Sequence, residues 1–107
     1  MKIGNFDTDK KVFIIAELSA NHSGSLKTAV DTIKAAKRAG ADAIKLQTYT
    51  PDSLTLNSHL DDFVIKGGLW DGRNLYELYQ EALTPKEWHA ELFKVAKEEG
   101  LACFSSP

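Results

Sequence analysis

A helix that ends at glycine and leads directly into a short apolar strand occurs twice in this chain. The two junctions read KRAGAD at 37–42 and KEEGLA at 97–102. With the apolar run that precedes the first helix, the order is strand, helix, strand, insertion and helix, strand. Such alternation predicts a parallel sheet, either in a barrel or in a doubly wound fold. No G-x-G-x-x-G motif follows the first strand, which counts against a dinucleotide-binding fold.

The first half of the chain contains clear element signals. Residues 12–16 form a continuous apolar run that is rich in β-branched residues, which predicts a strand buried on both faces. A second strand is predicted at 44–48. Ser23 or Ser25 can cap the intervening helix, and Gly40 can end it in a left-handed conformation. The apolar stripe of that helix consists of Leu26, Ala29, Val30, Ile33 and Ala36.

The second half opens with a long polar connection over residues 49–74, a length typical of functional or mobile loops. A short helix follows, with apolar positions between Leu75 and Ala82. The sequence TPKE at 84–87 predicts a capping box at the start of the next helix, and Gly100 is expected to end it. That helix has the buried stripe Trp88, Leu92, Val95 and Ala96, and a third strand is predicted at 101–104, with Cys103 as a small core residue.

Composition excludes several classes of function. The chain has 107 residues, a formal net charge of −2, 43% hydrophobic and 26% charged residues, which is typical of one globular domain. We therefore expect neither nucleic-acid nor membrane partners. A single cysteine rules out an internal disulfide, and a cytoplasmic setting is expected. Residues 1–11 are predicted to be a lead-in, and 12–107 the first part of a larger domain that is truncated after its third strand.

Polar residues follow all three predicted strands. In parallel βα folds the carboxyl ends of the strands carry the reactive groups, so three such clusters predict a site there. Glu17 is either a proton handler and hydroxyl acceptor or a carboxylate paired with a neighbouring lysine. Three roles are open for Lys45. It could supply a positive charge that binds a phosphate or carboxylate, it could be a Schiff-base amine, or it could simply extend from the sheet to its solvated rim. The three clusters are Glu17, Ser19, Asn21 and His22; Lys45, Gln47 and Thr48; and Ser105 and Ser106.

Other residues are ambiguous from the sequence alone. Asn21 is a substrate-binding candidate, but it and His22 could equally shape the loop and the helix start. Trp70 and Asp71 lie in the glycine-rich loop at 67–72, where they either recognise a sugar or anchor the loop. His59 and His89 are expected on solvated faces, and no spacing of histidines defines a metal site.

Four motifs resemble the sialic acid synthase family, and the likeness extends over nearly the whole chain from residue 12. They are IAE at 15–17, NHSG at 21–24, GADAIKLQT at 40–48 and FSSP at 104–107. Within that family, ELSANH at 17–22 and GGLWDGR at 67–73 are most similar to the pseudaminic acid synthases. Position 23, often asparagine in sialic acid synthases, is serine here.

The resemblance implies a (β/α)8 barrel of ~250 residues, of which this chain contains about three βα units. It implies that phosphoenolpyruvate is condensed with an N-acetylated aldose, and we expect this aldose to be 2,4-diacetamido-2,4,6-trideoxy-altropyranose, which gives pseudaminic acid and phosphate. By position, Lys45 and Ser106 match residues that hold phosphoenolpyruvate, Glu17 faces the sugar, and Gln47 lines the site. Trp70 and Asp71 fall in the loop that covers the sugar.

The resemblance also implies Mn²⁺ or Mg²⁺ bound by histidines that this chain does not contain, and a homodimer when the enzyme is full length. Alternatives are an N-acetylneuraminate or legionaminate synthase, a Schiff-base aldolase that uses Lys45, and an inert fragment. Because three strands cannot close a barrel, we expect the isolated 107-residue chain to be inactive and poorly soluble.

Overall fold

A computed structural model describes all 107 residues as a mixed α/β fold. Two 3₁₀ turns, Asp61–Phe63 and Lys86–Trp88, accompany the regular elements. None of the helices reaches the length and apolar character that crossing a membrane requires. The strands are β1 (Lys2–Ile3), β2 (Phe6–Asp7), β3 (Ile15–Glu17), β4 (Ala43–Gln47) and β5 (Ala102–Ser106), and the helices are α1 (Leu26–Arg38), α2 (Pro51–Leu54), α3 (Leu75–Ala82) and α4 (His89–Glu98).

The predicted parallel sheet is confirmed: β3, β4 and β5 lie side by side in chain order and all run parallel. The first strand differs from the prediction for 12–16, because regular pairing begins only at Ile15. Val12 and Ile14 are exposed, so the predicted burial on both faces is wrong for this run. The run lies at the edge of the sheet, before the regular pairing of β3 begins. The N–H of Ile14 donates to the carboxylate of Asp42, and its carbonyl accepts from the N–H groups of Asp42 and Ala43.

One face of the sheet is covered by α1 and α4, which pack against each other. Both predicted helical stripes are confirmed, with Ile33 of α1 and Leu92 of α4 completely buried. Ser25, rather than Ser23, caps α1 by accepting a hydrogen bond from the main-chain N–H of Thr28 at 3.2 Å. Gly40 follows that helix with φ +99°, as predicted for a left-handed cap.

The start of α4 departs from the predicted capping box. A 3₁₀ turn at Lys86–Trp88 comes first, and the α-helix begins at His89. The hydroxyl of Thr84 is engaged elsewhere, 3.1 Å from a ring nitrogen of His22, so it does not cap the turn. A long-range contact has therefore displaced the local capping motif.

The connection at 49–74 is structured. It contains α2, the first 3₁₀ turn and an antiparallel bridge between Val64 and Asn74. The predicted short helix is confirmed as α3, with Asn74 as its N-cap. The rings of Tyr49 and Tyr79 meet edge to face at 5.9 Å, which ties the connection to α3.

The lead-in at 1–11 forms a small antiparallel hairpin, β1–β2. Its Phe6 ring contacts Phe13 at a centroid distance of 4.8 Å, just before the sheet begins. Cys103 in β5 is half-buried and packs against the core, close to its predicted role. Burial raises the pKa of its thiol to about 11, so it is a poor nucleophile.

Candidate active site

The face of the sheet opposite the helices brings together four of the predicted site residues. The strand register pairs Glu17 with Lys45 and Gln47 with Ser106. Paired residues on neighbouring parallel strands point to the same side, and successive residues along a strand alternate between sides. Since Leu46, between Lys45 and Gln47, is buried under the helices, the four polar side chains share the other face.

Glu17 and Lys45 form an ion pair on this face. Nζ of Lys45 donates a hydrogen bond to Oε1 of Glu17 at 3.1 Å. The lysine side chain is 34% exposed and the glutamate 59% exposed, so water screens the pair and its contribution to stability is small. A lysine ammonium has three hydrogens to donate, which leaves two of them available for an anionic ligand.

The surroundings of Lys45 distinguish between its possible roles. Amine nucleophiles that form Schiff bases are activated by an apolar pocket or by a neighbouring cation. Lys45 faces the carboxylate of Glu17 instead. That environment favours a fixed positive charge over a nucleophilic amine.

Gln47 and Ser106 form the next row towards the carboxyl ends of the strands, and both are half-buried. Strand β5 extends to Ser106, two residues further than predicted, so Ser106 is part of the ladder rather than of a loop. The main-chain N–H of Thr48 donates to the carbonyl of Ser106 at 2.9 Å. The backbone positions of both residues are therefore fixed by sheet pairing.

The loop after β3 is tightly turned. The backbone φ angles of Ser19 and Ser23 are +48° and +52°, values that residues other than glycine rarely adopt. Asn21, a predicted substrate-binding residue, is exposed in this loop, and its main-chain N–H bonds to the carbonyl of Leu18. Asn21 makes no hydrogen bond to Glu17 or Lys45. Contact between Asn21 and a substrate stays a prediction.

His22 holds this loop from inside. The side chain is completely buried, and its ring packs edge to face on Trp88 at 5.2 Å. Nδ1 accepts the N–H of Gly24 at 3.0 Å, so Nε2 carries the proton and donates it to the hydroxyl of Thr84 at 3.1 Å. Burial lowers the pKa of His22, in keeping with a neutral ring. His22 thus shapes the loop, one of the two roles considered for it.

Trp70 and Asp71 lie at the tip of the loop between Val64 and Asn74, away from the strand ends in sequence. One carboxylate oxygen of Asp71 accepts the N–H of Gly67 at 2.6 Å, so it closes the loop on itself. Trp70 is 52% exposed. No hydrogen bond joins this loop to the four strand-end residues, and recognition of a sugar by Trp70 and Asp71 stays a prediction.

Residues 32–107, well over half of the chain, match the NeuB family model. The chain belongs to the NeuB family. This agrees with the strand-end motifs that predicted a sialic acid synthase relative, and with the polar face that those motifs form in the structure.

Two curated relatives in this family are pseudaminic acid synthases. The NeuB-family chain is 73% identical over all of its 107 residues to the enzyme of Campylobacter jejuni, of which it covers 31%. It is 60% identical over 94 residues, or 88% of its length, to the enzyme of Helicobacter pylori, of which it covers 28%. The chain therefore spans about a third of the length of these relatives.

The fold is shared with a solved structure, that of an N-acetylneuraminic acid synthetase from Leptospira borgpetersenii in complex with citrate. The TM-score is 0.74 at 25% identity, with 100% of this chain and 33% of the other chain covered. The α/β fold with its parallel sheet thus matches part of a sialic acid synthetase.

Of the polar residues expected at the strand ends, Thr48 and Ser105 lie on the helix face rather than the open face, where they meet His89. His89 was predicted on a solvated face, but it is half-buried and lies 2.8 Å from the hydroxyl of Thr48, so that prediction is wrong. His59 is exposed, as predicted. Thr48 in turn contacts the hydroxyl of Ser105 at 2.6 Å. The strand alternation that places Gln47 and Ser106 on one face places their neighbours on the helix face, which was the available signal.

The residues of this chain do not fit a divalent metal of the kind that the resemblance implies. No three His, Cys, Asp or Glu side chains are grouped in a way that could hold a metal ion. Both ring nitrogens of His22 and of His89 are already hydrogen-bonded. We therefore assign no metal ligand and no metal-dependent step to these residues.

Proposed function

We propose that this chain is part of a NeuB-family synthase that joins phosphoenolpyruvate to an N-acetylated amino-sugar aldose and releases phosphate. The favoured sugar is 2,4-diacetamido-2,4,6-trideoxy-altropyranose, which gives pseudaminic acid. The support for the sugar is the 73% identity to the Campylobacter jejuni pseudaminic acid synthase over the whole chain. An N-acetylneuraminate or legionaminate synthase would use the same chemistry on another sugar.

The main structural support for this reaction type is the Glu17–Lys45 pair, which lies beside the Gln47–Ser106 row on one face of the sheet. Lys45 supplies a fixed positive charge for the phosphate or carboxylate of phosphoenolpyruvate, and Ser106 supplies a hydroxyl donor. Glu17 accepts hydrogen bonds from the sugar and exchanges a proton with it. Gln47 lines the space between the two substrates.

The proposed reaction forms one carbon–carbon bond and breaks one bond to phosphate. The enol methylene carbon of phosphoenolpyruvate attacks the aldehyde carbon of the open-chain sugar, and the aldehyde oxygen takes up a proton. Water then adds to the resulting cation and loses both protons, one replacing the proton taken up by the aldehyde oxygen and the other going to phosphate. The bond between the former enol carbon and the phosphate oxygen breaks, and the water oxygen becomes the keto oxygen of the 2-keto acid. Lys45 and Ser106 hold the anionic end of phosphoenolpyruvate during these steps.

Several properties of the complete enzyme follow from the same proposal. The parallel sheet would be the first part of a (β/α)8 barrel. Mn²⁺ or Mg²⁺ would be held by residues outside 1–107, the enzyme would be a cytoplasmic homodimer, and its partners would be small molecules. A Schiff-base aldolase is disfavoured because Lys45 faces a carboxylate.

A chimera tests the proposed function. The matching segment of the Campylobacter jejuni enzyme is replaced by these 107 residues, and phosphate release is measured with phosphoenolpyruvate and the diacetamido trideoxy sugar. We expect kcat/KM within about tenfold of the unmodified enzyme, a difference of about 1.4 kcal/mol. A chimera that melts like the parent enzyme but releases no phosphate would refute the proposal. Borohydride trapping of a pyruvyl adduct at Lys45 would favour the aldolase instead.

A further inference from the structure

Three polar side chains form a continuous row directly behind the proposed site, on the helix side of the sheet. The hydroxyls of Ser105 and Thr48 are 2.6 Å apart, and the hydroxyl of Thr48 is 2.8 Å from Nε2 of His89. Ser105 and Thr48 each neighbour a site residue in the chain, Ser106 and Gln47 respectively. The row joins the carboxyl ends of β4 and β5 to the first residue of α4.

The hydrogen bonds of this row have a defined direction when the imidazole is neutral. Nδ1 of His89 lies 3.3 Å from the carbonyl of Pro85 and 3.2 Å from that of Lys86. Carbonyl oxygens only accept, so Nδ1 carries the ring proton and Nε2 is an acceptor. The hydroxyl of Thr48 must therefore donate to Nε2, and the hydroxyl of Ser105 donates to Thr48.

The same residues also fix the backbone at the site. The N–H of Thr48 donates to the carbonyl of Ser106 at 2.9 Å, and this bond does not depend on how the hydroxyl protons of the row are arranged. Thr48 thus contacts β5 through its main chain and its side chain together. A change in the hydroxyl of Thr48 would be transmitted to the position of Ser106.

We propose that Thr48 and His89 are positioning residues that set where Ser106 and Gln47 stand relative to phosphoenolpyruvate. This inference rests on the proposed function, because it needs these two residues to contact substrate. Neither Thr48 nor His89 points towards the open face, so they act through their neighbours. Small displacements of a positioned group reduce rates by up to about 10²-fold, so the hydrogen bonds of the row matter for catalysis as well as for folding.

Substitutions that keep the shape of Thr48 but change its hydrogen bonding test this role. In the active chimera, Thr48→Val removes the hydroxyl at nearly constant volume, and we expect KM for phosphoenolpyruvate to rise about tenfold with a smaller change in kcat. Thr48→Ser keeps the hydroxyl and should stay within about twofold of the parent KM. His89→Gln, which keeps an acceptor, should be less impaired than His89→Leu.

Thr32→Val is the matched control, because Thr32 also uses its hydroxyl in one hydrogen bond, to the carbonyl of Thr28 within α1, and has no hydrogen bond to the row. It should leave KM unchanged. If Thr48→Val does not fold, Ser105→Ala removes the donor of the row and should raise KM in the same direction.

The outcomes separate the two proposals. An active chimera in which Thr48→Val lowers the melting temperature but leaves KM at the parent value would overturn the positioning role while the proposed function stands. Equal KM values for the Val and Ser variants would do the same. A folded parent chimera that does not consume phosphoenolpyruvate would overturn both.

Discussion

The two faces of the three-stranded sheet differ in what they contribute. On the helix face, Leu46 and Leu92 are buried in a continuous apolar core. On the other face, the half-exposed Glu17–Lys45 pair lies beside the exposed ring of Phe104. Burial stabilises a fold, whereas screened surface ion pairs add little. The contrast teaches that the buried apolar core lies on one side of the strands and the accessible polar groups, which are the proposed site, lie on the other.

The largest expected effect is a difference in the free energy of unfolding between a variant on the helix face and a variant on the open face. Leu92→Ala removes a completely buried side chain and should lower the free energy of unfolding of the chimera by ~2–5 kcal/mol. Glu17→Gln on the open face should change it by less than about 0.5 kcal/mol. Urea unfolding followed by circular dichroism measures both. If the two variants lost similar amounts of unfolding free energy, the two faces would not differ in their contribution to stability.

Because His22 is buried on the helix side, it should make the free energy of unfolding depend on pH. Burial lowers its pKa below the ordinary 6.5, so the unfolded chain takes up a proton first as the pH falls. The contribution of His22 is therefore fully present above pH 6.5 and is lost as the pH falls through the lowered pKa. His22→Leu should cost ~1–3 kcal/mol at neutral pH, because the N–H of Gly24 loses its acceptor and the hydroxyl of Thr84 loses the donor of its shorter hydrogen bond.

Stability of the His22→Leu chimera should also vary less between pH 7.5 and pH 5 than that of the parent. Urea unfolding at several pH values checks this. A parent and a variant with parallel pH profiles would show that His22 does not titrate between these limits.

Lys45→Met tests the open face through catalysis. Methionine keeps the apolar stem but removes the charge, so kcat/KM for phosphoenolpyruvate should fall at least tenfold, about 1.4 kcal/mol. The free energy of unfolding should hardly change, because the pair with Glu17 is half-exposed. Steady-state kinetics and urea unfolding are measured on the same preparation. Unchanged kinetics would reduce Lys45 to a charge at the rim of the sheet.

The smallest expected effect concerns sugar choice. The proposed aldose has a methyl group where N-acetylmannosamine has a hydroxymethyl group, and an indole can cover a methyl group. The chimera should therefore prefer the trideoxy diacetamido sugar, and Trp70→Ala should erode the kcat/KM ratio of the two sugars by less than about tenfold. Use of phosphoenolpyruvate should suffer less. An unchanged ratio would leave Trp70 as a loop anchor.

Local patterns predicted the elements of the fold well. The stripes of α1 and α4 were visible because they repeat at helical spacing, and Gly40 marks a helix end that depends only on its own backbone. The exposure of Val12 and Ile14 could not be predicted, because it depends on β3 being at the edge. The local preference for a strand was visible in the sequence, but the number of neighbouring strands was not.

The polar residues after each strand were visible in the sequence, and the strand register brings Glu17, Lys45, Gln47 and Ser106 onto one face. The sequence did not show which contacts support that face. The bond between Thr84 and His22 joins residues 62 positions apart, and that between Thr48 and His89 joins residues 41 apart. No local pattern encodes such contacts, so the capping box at Thr84 and the solvated His89 were predicted wrongly.

The central claim, that the face of Glu17, Lys45, Gln47 and Ser106 binds phosphoenolpyruvate, is tested most directly by a crystal structure of the chimera with that ligand. We predict that the ligand's phosphate or carboxylate oxygens lie within hydrogen-bond distance of Nζ of Lys45 and the hydroxyl of Ser106. Phosphoenolpyruvate bound elsewhere, with Lys45 contacting Glu17 alone, would contradict the account.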